Sequence, residues 1–162
     1  MGELSNLEEV ILDLLKSRGL TLGVVESATG GFISHRLTNV PGISDCYKGG
    51  VTAYANETKV AVLGVSVITL ERYGAVSPGV AEEMALGGRQ SLNVDVCISD
   101  TGIAGPGGAT PTKPLGLFYI GLAHSGHVES REHVFTGSRE EIKAAAAEAA
   151  LGWLREYLAG LS

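Results

Sequence analysis

Three short segments of this 162-residue chain carry residue types at spacings that chemistry uses. The first is Glu26-Ser27-Ala28-Thr29-Gly30-Gly31, where an apolar run at 20–25 gives way to a helical pattern over 30–38. A serine at such a junction sits at the C-terminal edge of a sheet. The amides of Ala28, Thr29 and Gly30 would point outward from the helix start. Unpaired amides and the helix dipole favour negative charge, either a phosphate or a developing oxyanion. A structural role stays open, with Ser27 or Thr29 simply capping a glycine-rich turn.

The second segment is Thr101-Gly102-Ile103-Ala104-Gly105-Pro106-Gly107-Gly108, directly after the apolar run 94–99. Its glycines let a ligand approach the backbone, at the sheet edge where ligands of α/β proteins sit. No Lys-Ser/Thr follows, so it is not a Walker loop, and the dinucleotide spacing GxGxxG is absent. The third segment is Tyr54-Ala55-Asn56-Glu57-Thr58-Lys59. With Asn56 as N-cap, Lys59 falls at the third helical position, where the dipole and burial would lower its pKa and free an amine to act as a base. A solvated lysine is the other reading. Arg139 likewise opens a helix, and there it either faces solvent or clamps an anion.

The histidines His35, His124, His127 and His133 lack carboxylate or thiolate neighbours at metal-ligand spacing and read as exposed, so no metal is expected. Glu82 and Glu83 fit the early turns of a helix, and no carboxylate pair reads as an acid/base couple.

The elements that must position these residues follow from periodicity and caps. Ser5 with Glu8 forms a capping box for a first helix that Gly19 closes. Strands are expected at 20–25, 47–54, 94–99, 115–123 and 128–135, the last two joined through Ser125-Gly126. Asn56 caps a helix ended by Gly64, the segment 66–75 reads as either helix or loop, and Ser77-Pro78 starts a helix to about 91. Ser138 with Glu141 opens a long alanine-rich final helix. Alternating strands and helices predict an α/β fold: a three-layer α/β/α sandwich with a mixed sheet, in one domain over residues 1–162.

Composition narrows the function. The net charge of −6 argues against a nucleic-acid partner, though not against a small anion pocket. With 44% hydrophobic and 19% charged residues, disorder is not expected. The 23 glycines are about twice the usual share. Apolar stretches are too short to span a bilayer, so no membrane partner is expected. The N-terminus lacks a signal-peptide pattern, and Cys46 and Cys97 read as buried thiols of a cytoplasmic protein. The residues alone reach an α/β domain with a nucleotide-sized anion site and a candidate serine nucleophile.

Taken together, ESATGG, RLTNVPG, GGVTAYANETKVAVLGV, GAVSPGVAEEMA and TGIAGPGGATPTKPLG resemble the C-terminal domain of the CinA competence/damage-inducible family. Its stand-alone PncC members are nicotinamide mononucleotide deamidases. The resemblance runs over about residues 20–123, with a weaker echo at 135–151. It implies hydrolysis of nicotinamide mononucleotide to nicotinate mononucleotide and ammonia, with Ser27 as nucleophile, Lys59 as its base and Tyr54 beside the lysine. It needs no cofactor. Ala28, Thr29, Gly30, Gly31, Thr101, Gly102, Gly105 and Arg139 would bind substrate, with the phosphate either at Arg139 and the second loop or at Thr29-Gly30-Gly31. A homo-oligomer is the expected assembly. The pyrophosphatase activity associated with the N-terminal domain of full-length members is not expected of this chain.

Three positions depart from the family pattern. Ala28 stands where cysteine is usual, Asp100 where an apolar or small residue is common, and Ser138 where aspartate often precedes the arginine. The charge of Asp100 would oppose a phosphate and could instead sit near the pyridinium. It is the feature that favours the alternative of a non-catalytic nucleotide-binding module. A hydrolase for another amide is a third reading.

Overall fold

The computed structural model describes residues 6–161. Helix α1 spans Leu7–Arg18, and the Asn6 side chain caps it by accepting from the Glu9 amide. The cap expected at Ser5 lies outside the described residues, and Glu8 turns aside to pair with Arg36. Strand β1 (Leu22–Glu26) leads through a tight turn into α2 (Phe32–Thr38). A short 3-10 turn precedes β2 (Tyr47–Thr52).

Helices α3 (Asn56–Leu63), α4 (Val67–Tyr73) and α5 (Pro78–Leu92) follow, then β3 (Val96–Gly102). The hairpin of β4 (Leu117–His124) and β5 (His127–Val134) leads to α6 (Arg139–Ala159).

Several starts match the expected chemistry. The Ser77 hydroxyl caps α5 with Pro78 in its first turn, and Ser138 and Glu141 close a reciprocal capping box on α6. The segment left open at 66–75 contains α4, capped by the Ser66 hydroxyl. Asn56 is not a cap. Ala55, in extended conformation, takes that place without a side-chain bond, so Lys59 sits at the fourth helical position.

The sheet order is β2-β1-β3-β4-β5. Strand β1 pairs parallel with β2 and β3, whereas β4 and β5 are antiparallel to their neighbours, so the sheet is mixed as expected. Alternation of side chains sorts two cores. Leu22 and Val24 of β1, Ile98 of β3 and Ile120 of β4 meet α1, α2 and α6 on one face. Val25 and Cys97 meet α3 and α5 on the other. Helix α5 lies so close to the sheet that a Cβ at Gly88 would come within 2.5 Å of Val25.

The chain leaves β1 for β2 on one side and returns to β3 on the other, so the C-terminal end of β1 is a topological switch point. Crevices for ligands form at such points in open α/β sheets. Two of the four histidines differ from expectation: His35 and His127 are exposed, but His124 and His133 are half-buried, stacked on Tyr157 and Phe135.

Candidate active site

The site begins where β1 ends. Glu26, buried at the last position of the strand, accepts from the Ile33 amide at 2.8 Å and the Ser34 amide at 3.2 Å. A carboxylate there fastens the first turn of α2 and suits the positive end of its dipole. Gly31 takes φ 101° at the helix entry, a conformation that disfavours a side chain. The turn between these anchors presents Ser27.

Beyond the turn lies a cavity of about 250 Å³. Ser27, Ala28, Tyr54, Lys59, Thr101, Gly102, Gly105 and Arg139 all line it. Folding therefore brings eight of the eleven expected site residues together. Asn56, Ala75 and Val76 line it too, with nothing in their residue types to mark them.

Thr29, Gly30 and Gly31 are the three that part company. The last two face a different cavity of about 530 Å³, shared with His35, Glu140 and Lys143, and Thr29 reaches only its wall. Thr29 is buried, and its hydroxyl is engaged by Glu26 at 2.7 Å and by Asp100. Nor are the amides of this turn all free. The Thr29 amide donates to Asp100 at 3.1 Å, and the Gly30 amide to the Ser27 carbonyl at 3.0 Å. Of the three expected donors, only the Ala28 amide has no internal acceptor among the described residues.

Lys59 is 1% exposed, and its amine donates to the main-chain carbonyl of Tyr54 at 2.9 Å. Burial lowers its pKa from the ordinary lysine value, against the raising fields of Asp100 and Glu57. The direction matches the sequence reading, but the leading cause is burial. Tyr54 holds the lysine through its backbone, not its ring. The exposed ring points to the cavity mouth, where its hydroxyl accepts from Arg139 at 3.1 Å. Arg139 also donates to the Gly105 carbonyl at 2.8 Å, so one guanidinium joins the glycine loop to the Tyr54 segment.

Asp100 corrects a sequence reading. Strand β3 continues through Gly102, so Asp100 lies inside the sheet, fully enclosed, and does not line the cavity. Its carboxyl accepts from the Ser27 amide at 3.2 Å as well as from Thr29. Burial, partly offset by the Thr29 hydrogen bonds and reinforced by Glu26, pushes its pKa up to about 6. It neither meets a pyridinium nor faces a phosphate. Glu26 has no role in the sequence reading, although an acid at the end of an apolar run needs partners and is itself a signal.

Cys46 and Cys97 are buried free thiols, and burial pushes the Cys97 thiol up to about 12. Among the described residues no cluster of His, Cys, Asp or Glu is placed to hold a metal, and no helix is long and apolar enough to cross a membrane.

The mixed α/β sheet that frames this cleft is the fold of a known family. The chain belongs to the CinA C-terminal domain family, which it matches over residues 4–158. It is 51% identical over 152 residues to a relative in Caldicellulosiruptor saccharolyticus, covering 94% of this chain and 37% of that one. A CinA-like protein of Dictyoglomus thermophilum is 48% identical over 160 residues, covering 99% and 39%. The chain thus spans less than two-fifths of the length of these curated relatives. The crystal structure of competence damage-inducible protein A from Klebsiella pneumoniae superposes with a TM-score of 0.91 at 31% identity, over 98% of this chain and all of that one. That of the competence/damage inducible protein CihA from Agrobacterium tumefaciens gives 0.89 at 34% identity, over 98% and 99%.

Proposed function

We propose that this chain is an amidohydrolase that converts nicotinamide mononucleotide and water to nicotinate mononucleotide and ammonia. The observation that carries the reading is a buried lysine amine, held by a neutral carbonyl, lining the same small cavity as Ser27. A lysine with a lowered pKa is present in part as the free amine, which is the form a serine needs as its base.

In the proposed reaction the Ser27 hydroxyl oxygen attacks the carboxamide carbon while its proton passes to the Lys59 amine. The carbonyl oxygen becomes an oxyanion within reach of the Ala28 amide, which has no internal acceptor among the described residues. Lys59 then gives the proton to the leaving nitrogen, and ammonia departs as the acyl ester forms. Water, deprotonated by Lys59, cleaves the ester and restores Ser27. Arg139 and the glycine loop at the mouth suit the 5′-phosphate. The engagement of Thr29 by Asp100 and Glu26 favours this end over the Thr29-Gly30-Gly31 end.

The test is ammonia release from nicotinamide mononucleotide by the purified, metal-free protein, with Ser27→Ala as control. Turnover lost by about 10³-fold or more, with nucleotide binding retained, supports the reading. Equal turnover in both proteins removes Ser27 as nucleophile. Saturable binding without turnover in either leaves the non-catalytic nucleotide module.

A further inference from the structure

Between β3 and β4 the chain forms an arch, and Gly105, Gly107 and Gly108 of its first limb line the cavity. Its two limbs are joined at the base. There the Ile103 amide donates to the Leu117 carbonyl at 2.9 Å, and the Gly116 amide to the Ile103 carbonyl at 2.9 Å. Above the base they pack so closely that a Cβ at Gly105 would come 2.1 Å from the Leu115 side chain. The tip is a turn at 110–113. The Thr110 amide donates to the Lys113 carbonyl at 2.8 Å, and the Lys113 amide to the Thr110 hydroxyl oxygen at 3.0 Å.

Lys113 carries the tip of the arch to α4. Its amine donates to the main-chain carbonyl of Tyr73, the last residue of that helix. A cation suits the place, because the last carbonyls of a helix lack partners within it and carry the negative end of its dipole. The fit is close: a Cβ at Gly74 would stand 2.9 Å from the amine. Directly after Gly74 come Ala75 and Val76, which also line the cavity. Two hydroxyls hold this stretch from below, Thr101 on the Ala75 carbonyl at 2.8 Å and Ser77 on the Gly74 carbonyl at 2.9 Å.

We propose that Lys113 is a positioning residue of this site: it latches the arch to the end of α4 and so fixes the spacing of two cavity walls, 105–108 and 75–76. The proposal rests on the deamidase reading only for what it says about turnover. Both partners need such a tie. Helix α4 has no buried residue, and Leu70 alone of its seven packs against the core, half-buried. Val67, Ile68 and Tyr73 are exposed. Residues 106–112 of the arch are exposed throughout. With so little apolar burial, polar contacts decide where these segments rest. Arg139 fixes the arch near its start, at the Gly105 carbonyl, and Lys113 fixes it at the tip.

The two cations differ in kind. Arg139 lines the cavity, whereas Lys113 does not and has its amine committed to a carbonyl. A cation that grips phosphate directly distinguishes a nucleotide from its nucleoside. A wall out of place weakens both alike.

The test compares the wild type with Lys113→Met, which removes the donor and keeps the stem, and Lys113→Arg, which restores a donor. Amide hydrogen exchange, read without substrate, follows the Thr110 amide and the Gly74 amide, which donates to the Leu70 carbonyl at 2.9 Å. In Lys113→Met both are expected to exchange about tenfold faster or more, and in Lys113→Arg at close to the wild-type rate. Unchanged exchange at both amides overturns the proposal. In kinetics, kcat/KM for ammonia release should fall about fivefold to tenfold in Lys113→Met, by the same factor for nicotinamide mononucleotide and for its nucleoside. For the mononucleotide the change should lie in KM, with kcat little altered. A loss confined to the mononucleotide would make Lys113 a phosphate ligand and overturn the latch. So would a loss in Lys113→Arg as large as in Lys113→Met. Faster exchange in Lys113→Met with no ammonia from the wild type would count against the deamidase reading and leave the latch standing.

Discussion

Lys59 reaches back one helical turn to the main-chain carbonyl of Tyr54, 2.9 Å from its amine. Because the partner is neutral, the lysine is held in place without a counter-charge in direct contact. A carboxylate there would have fixed it as an ammonium. The five-residue spacing follows from α3 itself, since Tyr54 immediately precedes the capping residue Ala55.

That relationship has a consequence for stability. A lysine whose folded pKa is lowered binds fewer protons in the native state than in the unfolded state. The folded protein therefore loses stability as pH falls below the ordinary lysine range, down to the folded pKa. Lys59→Met removes the buried amine and keeps most of its volume. It is expected to raise Tm at pH 7 by about 3 °C, the effect of about 1 kcal/mol in a chain of this size. The gain should shrink towards pH 10. A Tm lowered at pH 7 would show that the bond to Tyr54 outweighs desolvation.

The same reasoning gives Asp100 the opposite window. Its pKa is raised from 3.8 to about 6, so the native state holds a proton that the unfolded state releases. Stability should fall as pH rises through that interval and level off above it. Asp100→Asn should flatten this slope in a melting series from pH 4 to about 7, a range set by those two values. A slope that persists in the variant assigns it to another group.

Much of this arrangement was legible in the sequence, and what was not has physical reasons. Ser77-Pro78 and Ser138 with Glu141 announced their helices because capping is local chemistry. Ala55 escaped notice because a cap can be made by backbone conformation alone. Asp100 was misplaced for a different reason. Its partners lie 71 and 73 positions away, and no local pattern shows that a carboxyl within a strand will be met by the amides of a distant turn. The meeting of Ser27 and Lys59 at one cavity was likewise an implication of family resemblance, not of periodicity. The amides expected to serve an oxyanion look free in the sequence because helix starts usually leave them so. Here two of the three are used to hold the turn.

Gly102 shows how closely the site is built on the core. A Cβ there would fall 2.3 Å from the ring of Phe118, which is fully buried and packs edge-on to Phe135 at 5.8 Å between centroids. Phe118 shares its cluster with Ala28, beside the serine. Gly102→Ala should cost about 1–3 kcal/mol through displacement of that ring. It should also raise KM, because Ala28 moves with the ring. Chemical denaturation and steady-state kinetics check both. Unchanged stability would mean that Phe118 yields freely.

Arg139 makes the sharpest claim about substrate. Its two bonds, to the Gly105 carbonyl and the Tyr54 hydroxyl, leave three of its five N–H donors unassigned at the cavity mouth. A phosphate held by that fork would be gripped where the glycine loop and the Tyr54 segment meet. Arg139→Ala is then expected to raise KM for the mononucleotide by about tenfold or more, equivalent to about 1.4 kcal/mol, with little change in kcat. The nucleoside without its phosphate should lose far less. Arg139→Lys should not restore affinity, because a point charge cannot both brace the two segments and present a planar fork. Equal losses for the nucleotide and the nucleoside would make Arg139 a brace for the loop only, and the phosphate would have to be sought at the Thr29 side of the turn.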